Sequence, residues 1–256
     1  MRKKLKSITN KIYPIAFLLG VILLWEAVSD SGIVPKFMLP SPIRVVKALI
    51  GDMPLIVMHL KTTLVEAFIG MAAALSGSFI LAVLMDRFII LHKAFYPVAI
   101  ITQTVPTVAI APLLVLWFGF GITPKVLLVF LACFFPLLIA LLTGLGSADK
   151  NVLRLYRSMN ASYLKTLFDV KLPYAAESFF SGLRISTSYA IVGAVVAEWL
   201  GGEGGLGVYM TRVRKSFAFD KMFAVIIVIS VLSLCLMKAV SLTEKACMPW
   251  KKYEKK

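Results

Sequence analysis

Thr102, Gln103, Thr104 and Thr107 put four hydrogen-bonding side chains beside Pro106, inside a run from Ala94 to Pro124 that carries no charge. A solute leaving water must have its lost hydrogen bonds replaced, and a wall of Leu and Val cannot do that. The proline adds to the polarity, because it frees a backbone carbonyl. Gln103, Thr104 and Thr107 are therefore candidates for the lining of a polar path, with hydrogen bonds between helices as the competing use. Arg184 and Glu198 are ionisable residues within or near an apolar segment. Such groups are costly in lipid and usually face a partner or water. On one helix they would stand about 21 Å apart, too far to pair. Glu198 is expected at the outer mouth of the path. Arg184 lies near the inner end, where it can reach the interface.

Other chemistry is excluded by what is missing from the sequence. It contains no H-E-x-x-H, no G-x-S-x-G and no paired aspartates in its apolar runs, so no catalytic residue is proposed. It lacks G-x-x-x-x-G-K-[ST], so ATP chemistry would have to come from a partner. The segment Gly202 to Gly207 formally matches G-x-G-x-x-G. It follows an apolar helix rather than a strand, and a turn or close backbone packing is the better reading. Neither metal nor cofactor is expected. His59 and His92 have no second ligand at helical spacing, and Cys133, Cys235 and Cys247 form no CxxC. Asn160-Ala161-Ser162 is a formal glycosylation acceptor, placed on a side where it would stay unused.

The elements that must position these groups are apolar helices. Of 256 residues 59% are hydrophobic and 16% charged, with a mean hydropathy of +0.88. Ordinary soluble domains are nearer 45–50% apolar and about 25% charged. Lipid is the expected solvent, and the net charge of +15 is expected to hold cytoplasmic loops inside rather than to bind nucleic acid. Six membrane spans are expected: 12–28, 62–85, 94–118, 126–148, 177–200 and 219–242. Ala27-Val28-Ser29 loosely resembles a cleavage site, but the apolar core runs on to Trp25 and more spans follow, so the first span is read as uncleaved. The expected class is all-α: a six-span membrane domain at 12–242, with a basic head at 1–11 and a basic tail at 243–256.

Six spans place both termini on one side. With the termini inside, the inner segments hold about twice as many Lys and Arg as the outer ones, which favours cytoplasmic termini. The first outer loop is itself basic. Ser41-Pro42 reads there as a helix start, and Val45, Val46, Leu49 and Ile50 alternate with Arg44 and Lys47. This predicts a short helix, lying on the membrane surface or packed on the bundle.

The inner segment 147–175 is too patterned for a simple loop. Val152, Leu155, Tyr156 and Met159 form one apolar stripe. Asn160 fits a left-handed turn, Tyr163, Leu164, Leu167 and Phe168 form a second stripe, and Leu172-Pro173 ends it. Two short amphipathic helices need their apolar faces covered. A groove on a soluble partner would cover them, and so would the ends of the chain's own spans.

The segment Arg154 to Pro173 resembles the coupling motif of ABC importer permeases, which runs Glu-Ala-Ala, three residues, Gly, nine residues, Ile, one residue, Leu-Pro. Asn160 falls on the Gly, Val170 on the Ile, and Leu172-Pro173 on the Leu-Pro, while Arg154, Leu155 and Tyr156 replace Glu-Ala-Ala. Met38-Leu39-Pro40-Ser41-Pro42, Leu116-Trp117-Phe118-Gly119-Phe120-Gly121, Gly182-Leu183-Arg184, Val196-Ala197-Glu198-Trp199-Leu200 and Gly204-Gly205-Leu206-Gly207 are similar to one branch of that family. That branch serves nitrate, aliphatic sulfonates, taurine, bicarbonate and pyrimidine precursors of thiamine. The look of Arg212 to Phe223 leans toward the pyrimidine-precursor group.

The resemblance implies a multi-pass protein of the bacterial inner membrane. It implies a second permease copy, two cytoplasmic ATPases and an extracytoplasmic solute-binding protein as partners. Tyr156, Met159, Asn160, Tyr163, Leu164, Leu167, Phe168, Leu172 and Pro173 are then the coupling surface for the ATPases, with Leu164 and Leu167 inserting into a groove. Without the resemblance, an intramembrane enzyme or an anchor recruiting soluble proteins stays open. The polar residues at 102–107 and Glu198 favour a path over an anchor.

Overall fold

The computed structural model describes residues 2–35 and 37–249, with side chains from residue 13 onward. The expected surroundings of the basic head, and the basic tail beyond residue 249, lie outside the described side chains. Every regular element among the described residues is helical, as apolar runs in lipid require: with no water to bond the backbone, a helix satisfies its own N–H and C=O groups. Among the described residues five helices are long and apolar enough to cross a membrane, and a sharply bent pair makes a sixth if it counts as one span.

The chain divides into two compact units. The smaller, residues 1–58 and 209–228, holds α1 (Arg2–Asp30) and α2 (Pro42–Gly51). The chain between these helices is tied back to α1: the Trp25 indole N–H donates to Pro40 O at 3.0 Å and the Ser29 hydroxyl to Leu39 O at 2.9 Å. The short helix predicted after Ser41 forms, with Pro42 in its first turn and Val45 buried. Ser41 precedes the helix in an extended conformation, but its side chain makes no capping bond. In the same unit Asp52 takes an ion pair from Lys221 at 2.8 Å and a short hydrogen bond from the Tyr209 hydroxyl. Burial alone would raise this carboxyl. The Lys221 and Tyr209 contacts outweigh it and hold Asp52 below the ordinary aspartate value of 3.8.

The larger unit, residues 59–208 and 229–256, is built on α6 (Ile122–Gly146) and α9 (Leu172–Trp199). It also takes most of α3 (Met53–Arg87), the pair α4 (Ile89–Thr104) and α5 (Thr107–Phe118), and the end of α11 (Phe219–Cys247). Without a hydrophobic drive between helices in lipid, close packing through small residues must hold them. At Gly182 of α9 an added Cβ would sit 2.4 Å from Ala140 Cβ of α6, and at Gly70 of α3 it would sit 2.6 Å from Val129. Ala74, one turn on from Gly70, is fully buried. Between α6 and α9, Cys133 Sγ donates to Ser186 O at 3.2 Å and Ser186 Oγ donates to Cys133 O at 3.3 Å. Cys133 is thus a packing residue. Arg184 does not reach for an interface: it pairs with Glu244 of α11 at 2.7 Å.

Two expectations are corrected here. The third span is not a run through 94–118. It starts at Ile89, and α4 and α5 meet at 99°. Val105 and Pro106 both take extended conformations, with ψ of 121° and 114°. A residue before proline is driven from the helical region, and proline itself has no N–H to continue the ladder. Leu172-Pro173, likewise, does not end the second coupling helix. The short helix α8 (Tyr163–Thr166) passes through a wide π turn, Leu167–Lys171, straight into α9. The wider turn accommodates the proline, whose missing N–H and bulky ring would break an ordinary one.

Candidate functional site

The bend between α4 and α5 faces α6 and α9 across a cavity of about 360 Å³. Gln103, Pro106 and Thr107 line it, with Leu131 and Phe135 of α6 and Tyr189 of α9. A second cavity, of about 520 Å³, lies toward the start of α9 and is lined by Gln103, Thr143, Glu177, Ser178, Ser181 and Tyr189. Gln103, Pro136 and Tyr189 border both cavities. An amide and a phenol thus stand where one opening meets the next, with donors and acceptors for a polar solute.

Of the residues singled out in the sequence, Thr102, Gln103 and Thr107 meet at the first cavity, although the Thr102 hydroxyl donates to Val98 O at 2.7 Å within its own helix. Thr104 does not line it, and its hydroxyl donates to Ile101 O at 2.7 Å, within its own helix. The sequence reading missed Tyr189, Glu177, Ser178 and Ser181. Glu177, Ser181 and Tyr189 share one face of α9 with Ile185, at every fourth residue, a partly polar stripe in an apolar helix that could have revealed them.

Glu198 is elsewhere. It is fully buried rather than set at a mouth, and it accepts the Thr63 hydroxyl at 2.7 Å and the Gly207 N–H at 2.6 Å. A carboxylate deep in a helix bundle must take its donors from the protein, and here the glycine-rich turn supplies one. Gly205, with φ of +119°, follows the backbone course only glycine adopts readily, so the formal G-x-G-x-x-G is packing chemistry.

The segment expected to serve coupling begins with α7 (Lys150–Ser158), capped by Asp149, whose carboxylate accepts the Asn151 N–H at 2.7 Å. Asn160 takes the expected left-handed turn, φ 56°, and the Ala161 N–H closes on Tyr156 O at 3.0 Å. Tyr156 is half-buried. Leu155, Met159, Leu164 and Phe168 are all more than half exposed. Leu167 is not exposed with them. It is 2% exposed and sits in a core cluster with Met85, Leu141 and Leu145, against which Tyr163 and Leu172 also pack. The expectation that Leu167 enters a partner's groove is corrected: it is packed in the chain's own core, while Leu164, one turn earlier, is exposed. Pro173 is exposed at the start of α9.

Asp86, at the end of α3, went unnoticed in the sequence. The Tyr163 hydroxyl donates to its Oδ2 at 2.9 Å, and Lys171 Nζ reaches both its oxygens at 2.7 and 2.8 Å. The Arg87 guanidinium lies 4.8 Å above the Tyr163 ring. These contacts tie residues 163–171 to α3, while Leu155, Met159, Leu164 and Phe168 remain exposed.

Comparison with known proteins agrees with this arrangement. Residues 67–246 match the model of the family described as the binding-protein-dependent transport system inner membrane component. A probable ABC transporter permease protein of Haemophilus influenzae is 37% identical over 220 residues, covering 86% of this chain and 90% of that protein. The formylaminopyrimidine transport permease protein ThiX of Halalkalibacterium halodurans is 33% identical over 249 residues, covering 97% and 99%. The crystal structure of an amino acid ABC transporter matches with a TM-score of 0.64 at 16% identity, over 77% of this chain and 96% of that one. The chain belongs to the binding-protein-dependent transport system inner membrane component family: it is a multi-pass ABC importer permease, a transport subunit rather than an enzyme.

Proposed function

We propose that two copies of this chain enclose a solute path whose walls carry Gln103, Thr107 and Tyr189. The observation that supports this most directly is the position of Gln103 and Tyr189 on the border of both cavities. An extracytoplasmic binding protein would deliver the solute, and two cytoplasmic ATPases would dock on the exposed Leu155, Met159, Leu164 and Phe168. Both termini are cytoplasmic in this reading, following the charge distribution. The solute is a small polar organic molecule, and the similarity to a formylaminopyrimidine permease over nearly the whole chain supports a pyrimidine of that kind. Such a ring carries several donors and acceptors, which an amide and a phenol can meet in turn.

The test is uptake by the full complex in lipid vesicles. Gln103→Leu should slow formylaminopyrimidine uptake while the complex still assembles. Gln103→Cys should react with small hydrophilic thiol reagents, at a rate the solute changes. Wild-type uptake by Gln103→Leu together with an unreactive Gln103→Cys would make these residues helix contacts and sink the path.

A further inference from the structure

The break between α3 and α4 serves neither the path nor the exposed face at Leu155, Met159, Leu164 and Phe168. Asp86 and Arg87 end α3, a helix long enough to cross a membrane, so they stand where hydrocarbon gives way to headgroups. Their charges are engaged differently. Asp86 is paired by Lys171 at 2.7 Å and bonded by the Tyr163 hydroxyl at 2.9 Å. Arg87 has only the Tyr163 ring, 4.8 Å away: among the described residues no carboxylate pairs with it. A ring face covers the plane of a guanidinium and leaves the N–H donors at its edge without an acceptor. Positive charge therefore remains at this corner, and the exposed Lys93 adds to it.

Beside the arginine lies a groove of about 510 Å³, lined by Arg87, Phe88, Ile89, Ile90, Leu91 and Ala94. Its lining is apolar apart from Arg87. Phe88 breaks the helical course with an extended backbone, φ −113° and ψ 104°. Phe88, Ile89 and Ile90 are then 55%, 65% and 81% exposed in succession. Three such side chains in a row favour hydrocarbon over water. Lys93 follows Ile89 and Ile90 by one helical turn, so charge and apolar surface share this end of α4.

We propose that this corner holds one anionic phospholipid, with its phosphate on the Arg87 guanidinium and an acyl chain along Phe88, Ile89 and Ile90, and that the lipid steadies residues 163–171. The two halves of the site select the two halves of the ligand. Arginine meets a phosphate with two parallel N–H bonds, and Lys93 disfavours a headgroup that carries its own cation. The groove takes the chain, which a free phosphate lacks. The link to residues 163–171 is Tyr163. Its hydroxyl donates to Asp86 and to Val83 O, and its ring lies under Arg87. A phosphate that holds the guanidinium in place also holds that ring against α3.

The lipid site does not depend on the transported solute, and its test needs no transport. The full chain is reconstituted in an equal mixture of phosphatidylcholine and phosphatidylglycerol, and native mass spectra record the lipid it retains. The wild type should keep one phosphatidylglycerol in preference to phosphatidylcholine. Arg87→Gln should lower that retention about fivefold, the worth of one basic group at an anionic surface. Arg87→Lys should restore part of it, and Ile90→Asn should weaken it through the chain. Arg214→Gln, at an exposed arginine near the end of α10 (Leu206–Lys215), should leave it unchanged. Excess inorganic phosphate should not displace the lipid. Hydrogen exchange at residues 163–171 should be slower in the mixture than in phosphatidylcholine alone, and Arg87→Gln should erase the difference. If Arg87→Gln does not accumulate, the wild-type preference between the two lipids decides alone. Equal retention of both lipids, retention unchanged in Arg87→Gln, or displacement by phosphate would overturn the site. Exchange indifferent to the lipid would overturn the link to residues 163–171. Ile90→Cys, in a background without native cysteines, separates the other occupants. A disulfide between two copies would give the groove to a second chain, and shielding from thiol reagents only with ATPase bound would give it to the ATPase; either would overturn the lipid assignment.

Discussion

At the scale of single residues, burial separates side chains that the sequence could not. Leu164 and Leu167 are equivalent in a periodic pattern, yet one is exposed and the other lies in the core. Asp at both Leu164 and Phe168 should abolish co-purification of the ATPase while the chain still inserts, because each puts a charge where an apolar contact is needed. Leu167→Ala should instead cost about 2–5 kcal/mol of stability and leave ATPase docking intact per folded molecule. Pull-down together with thermal unfolding distinguishes the two, and equal effects would show that both side chains face the partner. Asp52 carries a pH dependence. Its carboxyl is lower in the fold than in the unfolded chain, so its contribution is present above the ordinary aspartate range and is lost as pH falls through the lowered value. Unfolding curves of the wild type and Asp52→Asn should therefore differ near neutral pH and converge in acid.

At the scale of elements, the apolar segments were legible because lipid demands long uncharged runs: five of the six predicted segments correspond to single long helices, and the third falls on the bent pair α4–α5. The bend at Val105–Pro106 was only half legible. Composition located the proline, but hydropathy has no direction and could not turn the chain by 99°. The coupling stripe at 150–159 and the left turn at Asn160 could be read locally. The π turn could not, because it reconciles Pro173 with a helix that tertiary packing holds in place. Glu198 was misplaced for a similar reason: an acid near the end of an apolar run looks like a mouth until Thr63 and Gly207, distant and near in sequence, are seen to bond it. Pro106→Ala restores an N–H and lets α4 run on toward α5. Uptake should fall with assembly preserved, and unchanged uptake would show that the bend is not needed for the path.

At the scale of the whole molecule, the orientation inferred from charge can be measured directly. Single cysteines replacing Ser147 and Ser216, in a background without Cys133, Cys235 and Cys247, should react from opposite sides with an impermeant thiol reagent. Labelling of both from outside would overturn the proposed topology. Family membership and the fold were legible because motif order and spacing survive even where Arg154, Leu155 and Tyr156 replace the usual Glu-Ala-Ala. The cavity lining on α9 was not, since Tyr189 borders the cavity only when the bent pair is set opposite it.

The helix from Tyr163 to Trp199 is continuous through its π turn, 37 residues in all. At 1.5 Å per residue that is a strut about 55 Å long. Leu164 stands near one end, Tyr189 lies along it and Glu198 is close to the other. In the proposed complex, a push delivered at the exposed end would need no relay of side chains to reach the far end. It would move the strut as a piece, with Asp86 as the clamp near its driven end. A few glycines inserted after Lys171 would turn the strut into a hinge. The motor should then run idle, hydrolysing ATP with the complex intact while solute stays where it was.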